Sequence, residues 1–368
     1  MIHRLLACAA ALALCGPIPA AAQSAPADLT MLPAVPTDYA VPRTEWGDPD
    51  LRAIYTLDNI NAGRVSFERP ASFGDRFWLT DEEFAKRVDD ARASDAAFDR
   101  NNTRGTSGLE QWMLHEPFAR RTAMLVDPPS GKLPALRPEA EALRLAGHSS
   151  WKPDSTYDWV GDFDLWDRCV TRGFPASMLP FRYNNGVRVF QGPGYVVIHF
   201  EMLGDRVIPI GKGGHWPAAV RTYLGDSRGR WEGNTLVVET TNVITGDNAT
   251  PDVSLRAASP LNQATQGVPA WNSIPVSDKA KAVERFTMTA PGTLTYELTY
   301  SDPEVFTAPW TARTAWTRDD DYQFFEYACH EGNVQVRNYI IASRTARRTA
   351  AAQAAGGPST SGQSPTAR

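Results

Sequence analysis

Short apolar runs separated by turn residues fill most of the chain between residues 188 and 341, which is the pattern of antiparallel strands. The clearest run is Thr235 to Thr241, because it is rich in β-branched residues and contains neither glycine nor proline. The preceding residues 225–234 contain three glycines together with Asp226, Ser227 and Asn234. These residue types favour tight turns. The sequence therefore predicts a turn over residues 225–234 that leads into a strand over residues 235–241.

The same pattern predicts further strands on both sides of this hairpin. They cover residues 50–58, 123–126, 188–191, 194–202, 206–210, 284–289, 293–300, 310–317, 324–329 and 334–341. Many short strands at regular intervals favour an antiparallel barrel or sandwich. We therefore expect a mainly β protein with about ten strands, arranged as one antiparallel β-barrel domain over residues 46–343.

Only two short helices are predicted, and both belong to a helical N-terminal extension of the barrel domain. Thr80 to Ala93 is amphipathic, and Thr80 and Glu83 have the spacing of a capping box. Pro138 to Leu145 begins at a proline and ends before a glycine. Residues 94–110 and 244–282 are polar and are expected to form long loops.

The two ends of the chain differ in composition from its middle. Arg4, an apolar run over residues 5–14 and an A-x-A site at residues 20–22 predict a signal peptide over residues 1–22. The Pro- and Ala-rich residues 23–45 predict an extended leader. Residues 344–368 consist mainly of small and polar residues, which predicts a disordered tail. The mature protein is therefore expected in the periplasm or outside the cell.

Charge and cysteine content narrow the choice of partners. The net charge of −5 and the pI near 5.7 argue against nucleic acid or an anionic membrane as the main partner. No later segment resembles a membrane span. The oligomeric state is left open. Once the signal peptide is removed, Cys169 and Cys329 are the remaining cysteines, and an oxidising compartment favours one disulfide between them. A metal site and a catalytic thiol are the alternatives.

His199 and Glu201 lie two residues apart in a predicted strand, so both side chains leave the same face. If that face points into the barrel, a base and an acid line the lumen together. Arg206 on the next strand would then lower the pKa of Glu201. The alternative is that this face is a polar outer surface, because Val196 and Ile198 on the opposite face are apolar.

His215 and His330 are the other candidates for acid–base chemistry. His215 lies in the glycine-flanked loop over residues 212–217, and a loop histidine suits proton transfer near neutral pH. A bond from its ring to a backbone carbonyl is the alternative. His330 follows Cys329, so a disulfide would hold its imidazole in place. The expected catalytic residues are therefore His215, His199, Glu201 and His330.

The expected substrate-binding residues are aromatic or cationic. They are Tyr195, Arg206, Trp231, Tyr296 and Trp310. For the two tryptophans, filling of the barrel interior is the alternative role. Asp226, Arg228 and Arg230 are expected to satisfy one another's charges in the turn. No short ligand spacing supports a metal site, and we expect neither a metal nor another cofactor. The motifs of serine hydrolases, zincins, kinases and dehydrogenases are also absent from the sequence.

Several motifs resemble a large group of secreted bacterial proteins, most of them uncharacterised. They are Gly-Asp-Ser-Arg-Gly-Arg-Trp-Glu-Gly-Asn-Thr-Leu-Val-Val-Glu-Thr at residues 225–240, Ala-Cys-His-Glu-Gly-Asn at 328–333, Val-Asp-Pro-Pro-Ser-Gly at 126–131 and Asp-Arg-Cys at 167–169. The resemblance covers about residues 48–341 and implies a signal-bearing protein with a lipocalin-like β-barrel. Related sequences often have a histidine where this chain has Gly204, which weakens any role given to that position.

These features predict a cofactor-independent periplasmic enzyme of lyase or isomerase type. It would use acid–base chemistry on a small lipophilic compound, with an aromatic compound as one candidate, in a barrel cavity. The alternatives are a carrier of a small hydrophobic ligand and a structural protein of the cell envelope. An enzyme needs a histidine and a carboxylate within reach of one substrate atom, whereas a carrier needs only apolar walls.

Overall fold

The computed structural model describes residues 25–57, 65–102, 119–146, 156–181, 183–245, 259–262, 271 and 273–355. These residues form ten strands, nine of which make a nearly closed antiparallel barrel. The prediction of a mainly β, antiparallel barrel with about ten strands is therefore confirmed. The predicted signal peptide over residues 1–22 lies outside the described residues.

The strands are β1 (Ala53–Leu57), β2 (Leu125–Asp127), β3 (Gly186–Gly192), β4 (Tyr195–Phe200), β5 (Asp205–Pro209), β6 (Asp226–Glu232), β7 (Thr235–Thr241), β8 (Lys281–Ala290), β9 (Thr293–Ser301) and β10 (Trp310–Arg318). Short turns connect β3 to β4, β6 to β7 and β8 to β9, whereas long segments separate β1 from β2, β2 from β3 and β7 from β8. Around the barrel the order is β5-β4-β3-β1-β10-β9-β8-β7-β6. Strand β1 therefore joins the first half of the barrel to the last strand, and the short β2 pairs with β10 beside it.

The barrel closes between β5 and β6 with much less pairing than elsewhere. The N–H of Gly211 donates to the carbonyl of Gly229 at 3.0 Å, and Ile210 and Gly229 form an isolated bridge. A Cβ atom at Gly229 would lie 2.4 Å from Cδ1 of Ile210. Glycine at this position therefore lets the side chain of Ile210 pack closely against β6, and a larger residue would force that side chain to shift.

The prediction of a turn over all of residues 225–234 is wrong. Residues 226–232 form strand β6, and the turn itself is the pair Gly233 and Asn234, because Glu232 pairs with Thr235. Glycines at three positions suggested a turn, but the one in the middle is a strand residue. The polar residues at 226, 228, 230 and 232 alternate with residues that face the interior, which is the signature of a strand.

Large aromatic side chains occupy the barrel interior. The ring centroid of Tyr296 lies 5.3 Å from that of Trp316 and 4.9 Å from that of Phe286. Elsewhere in the interior, the ring centroids of Tyr300 and Trp310 lie 5.2 Å apart. All five side chains are buried. Burial of aromatic rings in mutual contact supplies much of the hydrophobic stabilisation of this core.

The helices are α1 (Asp81–Asn102), α2 (Pro138–Ala146), the single turn α3 (Cys329–Gly332) and α4 (Val334–Ala354). The predicted capping box of α1 is confirmed, because the N–H of Glu83 donates to Thr80 Oγ1 at 3.1 Å and the N–H of Thr80 to Glu83 Oε2 at 2.9 Å. Helix α2 forms as predicted. Helix α1 extends nine residues beyond the predicted end at Ala93, so residues 94–102 are helical, and residues 103–110 lie outside the described part.

The predicted strands over residues 324–329 and 334–341 are wrong. Residues 334–354 form helix α4, which includes the first part of the predicted disordered tail. Strands β1 and β2 already occupy the edge of β10, so the barrel offers no position for a further strand there. Helix α4 instead contacts the segment near residue 158, where Tyr157 packs against Tyr339 and Asp158 pairs with Arg347. The alanine-rich second half of this segment also favours a helix.

The predicted disulfide is confirmed. Cys169 and Cys329 are bonded, and the bond joins two segments that are 160 residues apart in sequence. It ties residues 156–181 to α3, and the side-chain amide of Asn333 strengthens this junction by donating to the carbonyl of Asp167 at 2.6 Å. No helix among the described residues has the length and apolar character needed to cross a membrane.

Candidate functional site

The structure does not bring the predicted catalytic side chains together in the barrel interior. His199 lies on the outer side of β4, where its Nδ1 is 2.5 Å from Asp205 Oδ1 and its ring stacks on Phe324. His330 is exposed in α3. His215 lies in the loop between β5 and β6, against the outer faces of β6 and β7. The expected convergence of imidazoles in a lumen is therefore not found.

Glu201 leaves the same side as His199, as predicted, but that side is the outer one. The segment over residues 322–325 covers it, so that Glu201 is buried beneath Tyr322. The hydroxyl of Tyr322 donates to Glu201 Oε2 at 2.5 Å, and the N–H of Gly186 donates to the same oxygen at 3.2 Å. Burial raises the pKa of Glu201, and these hydrogen bonds oppose the rise. The hydrogen bond from Tyr322 to Glu201 thus connects the segment over residues 322–325 to the barrel.

Arg206 and Tyr296 do face the interior, but Arg206 does not pair with Glu201 as predicted. Its partner is Glu284 on β8, which also accepts a hydrogen bond from the hydroxyl of Tyr296 at 2.8 Å. Ser227 and Thr240 accept hydrogen bonds from Arg206 Nη2 at 2.9 and 3.0 Å. These five side chains form a buried polar network. The sequence analysis gave Glu284 no role in the site, although its inward position between Ala282 and Phe286 indicates burial.

The other predicted substrate-binding residues separate into one outer and two inner positions. Tyr195 is exposed at the start of β4, and its ring covers Gly192. Trp310 is fully buried and Trp231 partly buried against the core. The buried indole N–H groups of Trp231, Trp310 and Trp316 have no hydrogen-bond partner among the described residues, and neither has the hydroxyl of Tyr300. The interior therefore contains donors that an acceptor could still satisfy.

His215 is surrounded by ionisable side chains that are held in place by hydrogen bonds and ion pairs. Its Nδ1 lies 2.9 Å from Asp226 Oδ2, and the backbone N–H of Trp216 donates to the same oxygen at 2.8 Å. Arg228 Nη2 pairs with the other oxygen of Asp226 at 3.1 Å. Only 3% of the Asp226 side chain is exposed, against 24% for His215. A buried carboxylate therefore orients an imidazole that solvent can reach.

The second ring nitrogen of His215 faces another carboxylate. Nε2 lies 3.4 Å from Glu239 Oε1, and Lys281 Nζ holds the other oxygen of Glu239 at 2.7 Å. Lys281, and to a smaller extent His215, keep the pKa of Glu239 below its ordinary value. Across the outer faces of three strands the side chains follow the order Arg228, Asp226, His215, Glu239 and Lys281. His215 thus lies between two carboxylates, and each carboxylate also pairs with a cationic side chain.

The positions of these side chains follow from the strand pattern. Asp226 and Arg228 point outward because they alternate along the strand with Ser227 and Gly229, which face the interior. Glu239 points outward between Val238 and Thr240. Sequence reasoning identified His215 but assigned Asp226 to a turn and gave Glu239 no role. The polar alternation of residues 226–232 was the signal that would have placed Asp226 on a strand beside the loop.

A second group of ionisable side chains lies in the segment joined by the disulfide. Asp164 and Asp167 are buried near Trp166 and Tyr327. Burial, and next the neighbouring Asp167, raise the pKa of Asp164 to about 8. Arg172 is buried against Phe181, and burial lowers its pKa to about 9. Among the described residues, no three His, Cys, Asp or Glu side chains are placed to hold a metal ion.

Comparison of the chain with family models, with curated proteins and with solved structures found no match. The resemblance to secreted bacterial proteins therefore stays a prediction.

Proposed function

We propose that the protein is an acid–base enzyme of lyase or isomerase type that needs no cofactor, with His215 as the group that transfers the proton. The observation that carries this proposal is the pairing of a partly exposed imidazole with the buried carboxylate of Asp226 at 2.9 Å. A carboxylate behind a histidine fixes the ring and stabilises its protonated form, which is the arrangement that acid–base catalysis requires.

The pairing decides which ring nitrogen reacts. An ionised carboxylate only accepts hydrogen bonds, and Asp226 already accepts from the backbone N–H of Trp216 and from Arg228. Nδ1 of His215 therefore carries a hydrogen, and Nε2 is the nitrogen that gains and loses a proton. The 3.4 Å separation from Glu239 Oε1 is long for a hydrogen bond. A substrate group can displace this contact while Lys281 keeps Glu239 in place.

The surroundings of His215 favour a small compound with an apolar or aromatic part. Trp216 and Val220 in the same loop are both exposed, and Arg228 Cζ lies 5.7 Å from the ring centroid of Trp216. An exposed indole offers a flat apolar surface to a ring, and the guanidinium offers donors to an oxygen substituent. These features support a lipophilic substrate that carries a carbonyl, hydroxyl or carboxylate group.

The proposed location is the periplasm or the outside of the cell. The disulfide between Cys169 and Cys329 supports it, because such bonds persist in oxidising compartments. Substrates would then be compounds that reach the enzyme without crossing the inner membrane.

Proton transfer to carbon can be tested without knowing the product. Protein that begins at residue 23 would be incubated in deuterated water with small aromatic and aliphatic carbonyl compounds and followed by mass spectrometry. We expect deuterium incorporation or product formation that falls at least about 100-fold in His215→Gln. His199→Gln is the matched control, because His199 also pairs with an aspartate on the outer surface. Equal activity of His215→Gln and the unchanged protein would refute the role of His215.

The alternative of a carrier is favoured by a different observation. The buried indole N–H groups of Trp231, Trp310 and Trp316 lack acceptors among the described residues, and a ligand with carbonyl oxygens would supply them. Native mass spectrometry of the purified protein tests this function. A small molecule that stays bound after desalting would favour the carrier over the enzyme if it occupies the same fraction of His215→Gln molecules as of the unchanged protein.

A further inference from the structure

Apolar side chains are exposed next to one another on the outer side of β3, β4 and β5. Phe190, Val197 and Val207 pair across the three strands and form one row. Val207 is 59% exposed and Phe190 is 47% exposed. Tyr195, which is 46% exposed, and its cross-strand neighbour Pro209 lie beside this row. We call these five side chains the apolar face, and a contiguous exposed surface of this kind is typical of a contact with another macromolecule.

A polar row borders the apolar face on the same three strands. Arg188 on β3, His199 on β4 and Asp205 on β5 pair across the strands. Asp205 Oδ1 lies 2.5 Å from Nδ1 of His199. Among the described residues no carboxylate pairs with Arg188, whose guanidinium carbon lies 5.9 Å from the ring centroid of Phe190 and 5.0 Å from that of Phe324. The row therefore runs from a cationic side chain on β3 to an acidic side chain on β5.

Large side chains occupy the β3 side of the apolar face and small ones occupy the β5 side. Phe190 belongs to β3, and the ring of Tyr195 leans over β3, because a Cβ atom at Gly192 would lie 2.4 Å from Cζ of that ring. Val207 and Pro209 on β5 are smaller. The surface is therefore higher along β3 than along β5.

A second copy of the chain complements this surface in both charge and shape. A two-fold axis that runs along β4 between the two copies places β3 of one copy over β5 of the other and keeps each cross-strand row at its own level. Arg188 of one copy then faces Asp205 of the other, and Phe190 faces Val207. Both pairs occur twice, as in any isologous contact. A two-fold axis perpendicular to the strands would instead place β3 over β3 and bring the two high sides together.

We propose that the protein forms a two-fold symmetric dimer through the outer side of β3, β4 and β5, in which Arg188 of each copy pairs with Asp205 of the other. The two sheets pack face to face with their strands nearly aligned, as in a β-sandwich. The contact is three strands wide, so the interface is small and the dimer is weak and depends on protein concentration. The dimer does not depend on the role given to His215, since the contact uses none of the residues around that histidine.

Sedimentation velocity would measure the dissociation constant of the dimer, with protein that begins at residue 23 at concentrations from about 1 to about 500 µM. We expect the dimer fraction to rise with concentration. Val207→Lys should raise Kd at least about 10-fold, because it places two unpaired charges in the contact. Ile341→Lys is the matched control, since Ile341 is exposed to a similar extent, 55%, but lies on α4. A protein that stays monomeric throughout, or a Val207→Lys variant that dimerises as well as the control, would overturn the proposal.

Reversal of the two charges tests the symmetry of the contact. Arg188→Asp and Asp205→Arg should each raise Kd at least about 10-fold, because each places like charges opposite one another at two positions. The double variant with both substitutions restores opposite charges and should return Kd to within about threefold of the unchanged protein. A double variant that dimerises no better than either single variant would show that these two side chains do not pair.

A cysteine on the symmetry axis provides a second measurement, which does not depend on the folding of the charge variants. Val197 lies on β4, so the two copies of this residue meet across the contact. Mild oxidation of Val197→Cys should give a disulfide-linked dimer on non-reducing electrophoresis at least about 10-fold faster than oxidation of Ile341→Cys. Equal rates for the two variants would show that the copies do not meet at β4.

Discussion

Arg206 and Glu284 face each other inside the barrel and form two parallel hydrogen bonds. Nη1 donates to Oε1 at 2.8 Å and Nη2 donates to Oε2 at 2.6 Å. The pair joins β5 to β8 across the interior, and 1% or less of either side chain is exposed. Burial of an ion pair is costly, and this geometry offsets the cost only while both partners are present.

Removal of one partner should therefore destabilise the protein more than removal of both. We expect Arg206→Met to lower the free energy of unfolding by about 3–5 kcal/mol, because it leaves the carboxylate of Glu284 buried without its cation. The double variant Arg206→Met and Glu284→Leu should recover at least half of that loss. Denaturation with guanidinium chloride would measure the free energy of unfolding of the unchanged protein, the single variant and the double variant. A double variant that is less stable than the single one would contradict the explanation.

Asp226 should act on catalysis through His215, which depends on the proposed enzyme function. Asp226→Asn cannot stabilise the protonated ring, and its amide can turn the ring to the wrong tautomer. We expect kcat to fall about 100-fold or more while KM changes less than about threefold. Steady-state kinetics on any substrate found for the unchanged protein would check this. Asp205→Asn, which removes the partner of His199, should leave both constants unchanged, whereas a mainly structural role of Asp226 would raise KM as well.

The stability of the protein should decrease as the pH rises from about 4 to about 8. The pKa of Asp164 is about 8 in the folded protein, against an ordinary value of 3.8. Between these values the folded state keeps a proton that the unfolded chain releases, so each pH unit costs up to about 1.4 kcal/mol. The stabilisation is complete below pH 4 and is lost as the pH approaches 8. The raised pKa of Glu201 acts in the same direction.

Asp164→Asn provides the test of this pH dependence, because asparagine stays uncharged at every pH. Urea denaturation at pH 4.5 and pH 7.5 should show a smaller difference in stability for Asp164→Asn than for the unchanged protein. Asp28→Asn is the control, because the exposed carboxylate of Asp28 accepts hydrogen bonds from Thr30 in the same turn. Identical pH dependence in all three proteins would show that Asp164 ionises normally.

The disulfide should account for a large share of the stability. Chain-entropy arguments for a loop of this length give about 5 kcal/mol, and the double variant Cys169→Ala and Cys329→Ala should lose a comparable amount. The unfolding midpoint in urea would measure it. Protein that begins at residue 23 contains no other cysteine, so its denatured, unreduced form should react with no thiol reagent. Two reactive thiols per chain would show that the bond does not form.

The fold was largely predictable because residue alternation and turn residues report directly on strands. Residues 235–241, 293–300 and 310–317 form strands close to the predicted limits. Residue alternation and turn residues gave wrong predictions where contacts between distant segments determine the secondary structure. Gly229 is a position of close approach between strands, which a local reading cannot distinguish from a turn glycine. Residues 334–341 have β-branched residues, but β1 and β2 already pair with the edge of β10 next to this segment.

The candidate site was predicted only in its central residue. His215 drew attention as a loop histidine that follows two glycines, whereas Asp226 and Glu239 reach it through contacts between the loop and two strands. Such contacts depend on how the loop folds back over the barrel, and no spacing in the sequence encodes that path. The same reason explains Arg206, whose partner Glu284 lies 78 residues away. Which carboxylate lies opposite it depends on the closure of the whole barrel.

The weak closure at Gly229 has a consequence for how the barrel moves. Among the described residues, an isolated bridge between Ile210 and Gly229, near the ends of β5 and β6, replaces the ladder that joins every other pair of neighbouring strands. Transient separation of these two strands therefore breaks fewer bonds than separation at any other place, and their amide hydrogens should be the first in the wall to exchange with solvent. The loop that carries His215 connects these same strands. Each opening fluctuation of the wall would therefore also shift His215 relative to Asp226 and Glu239.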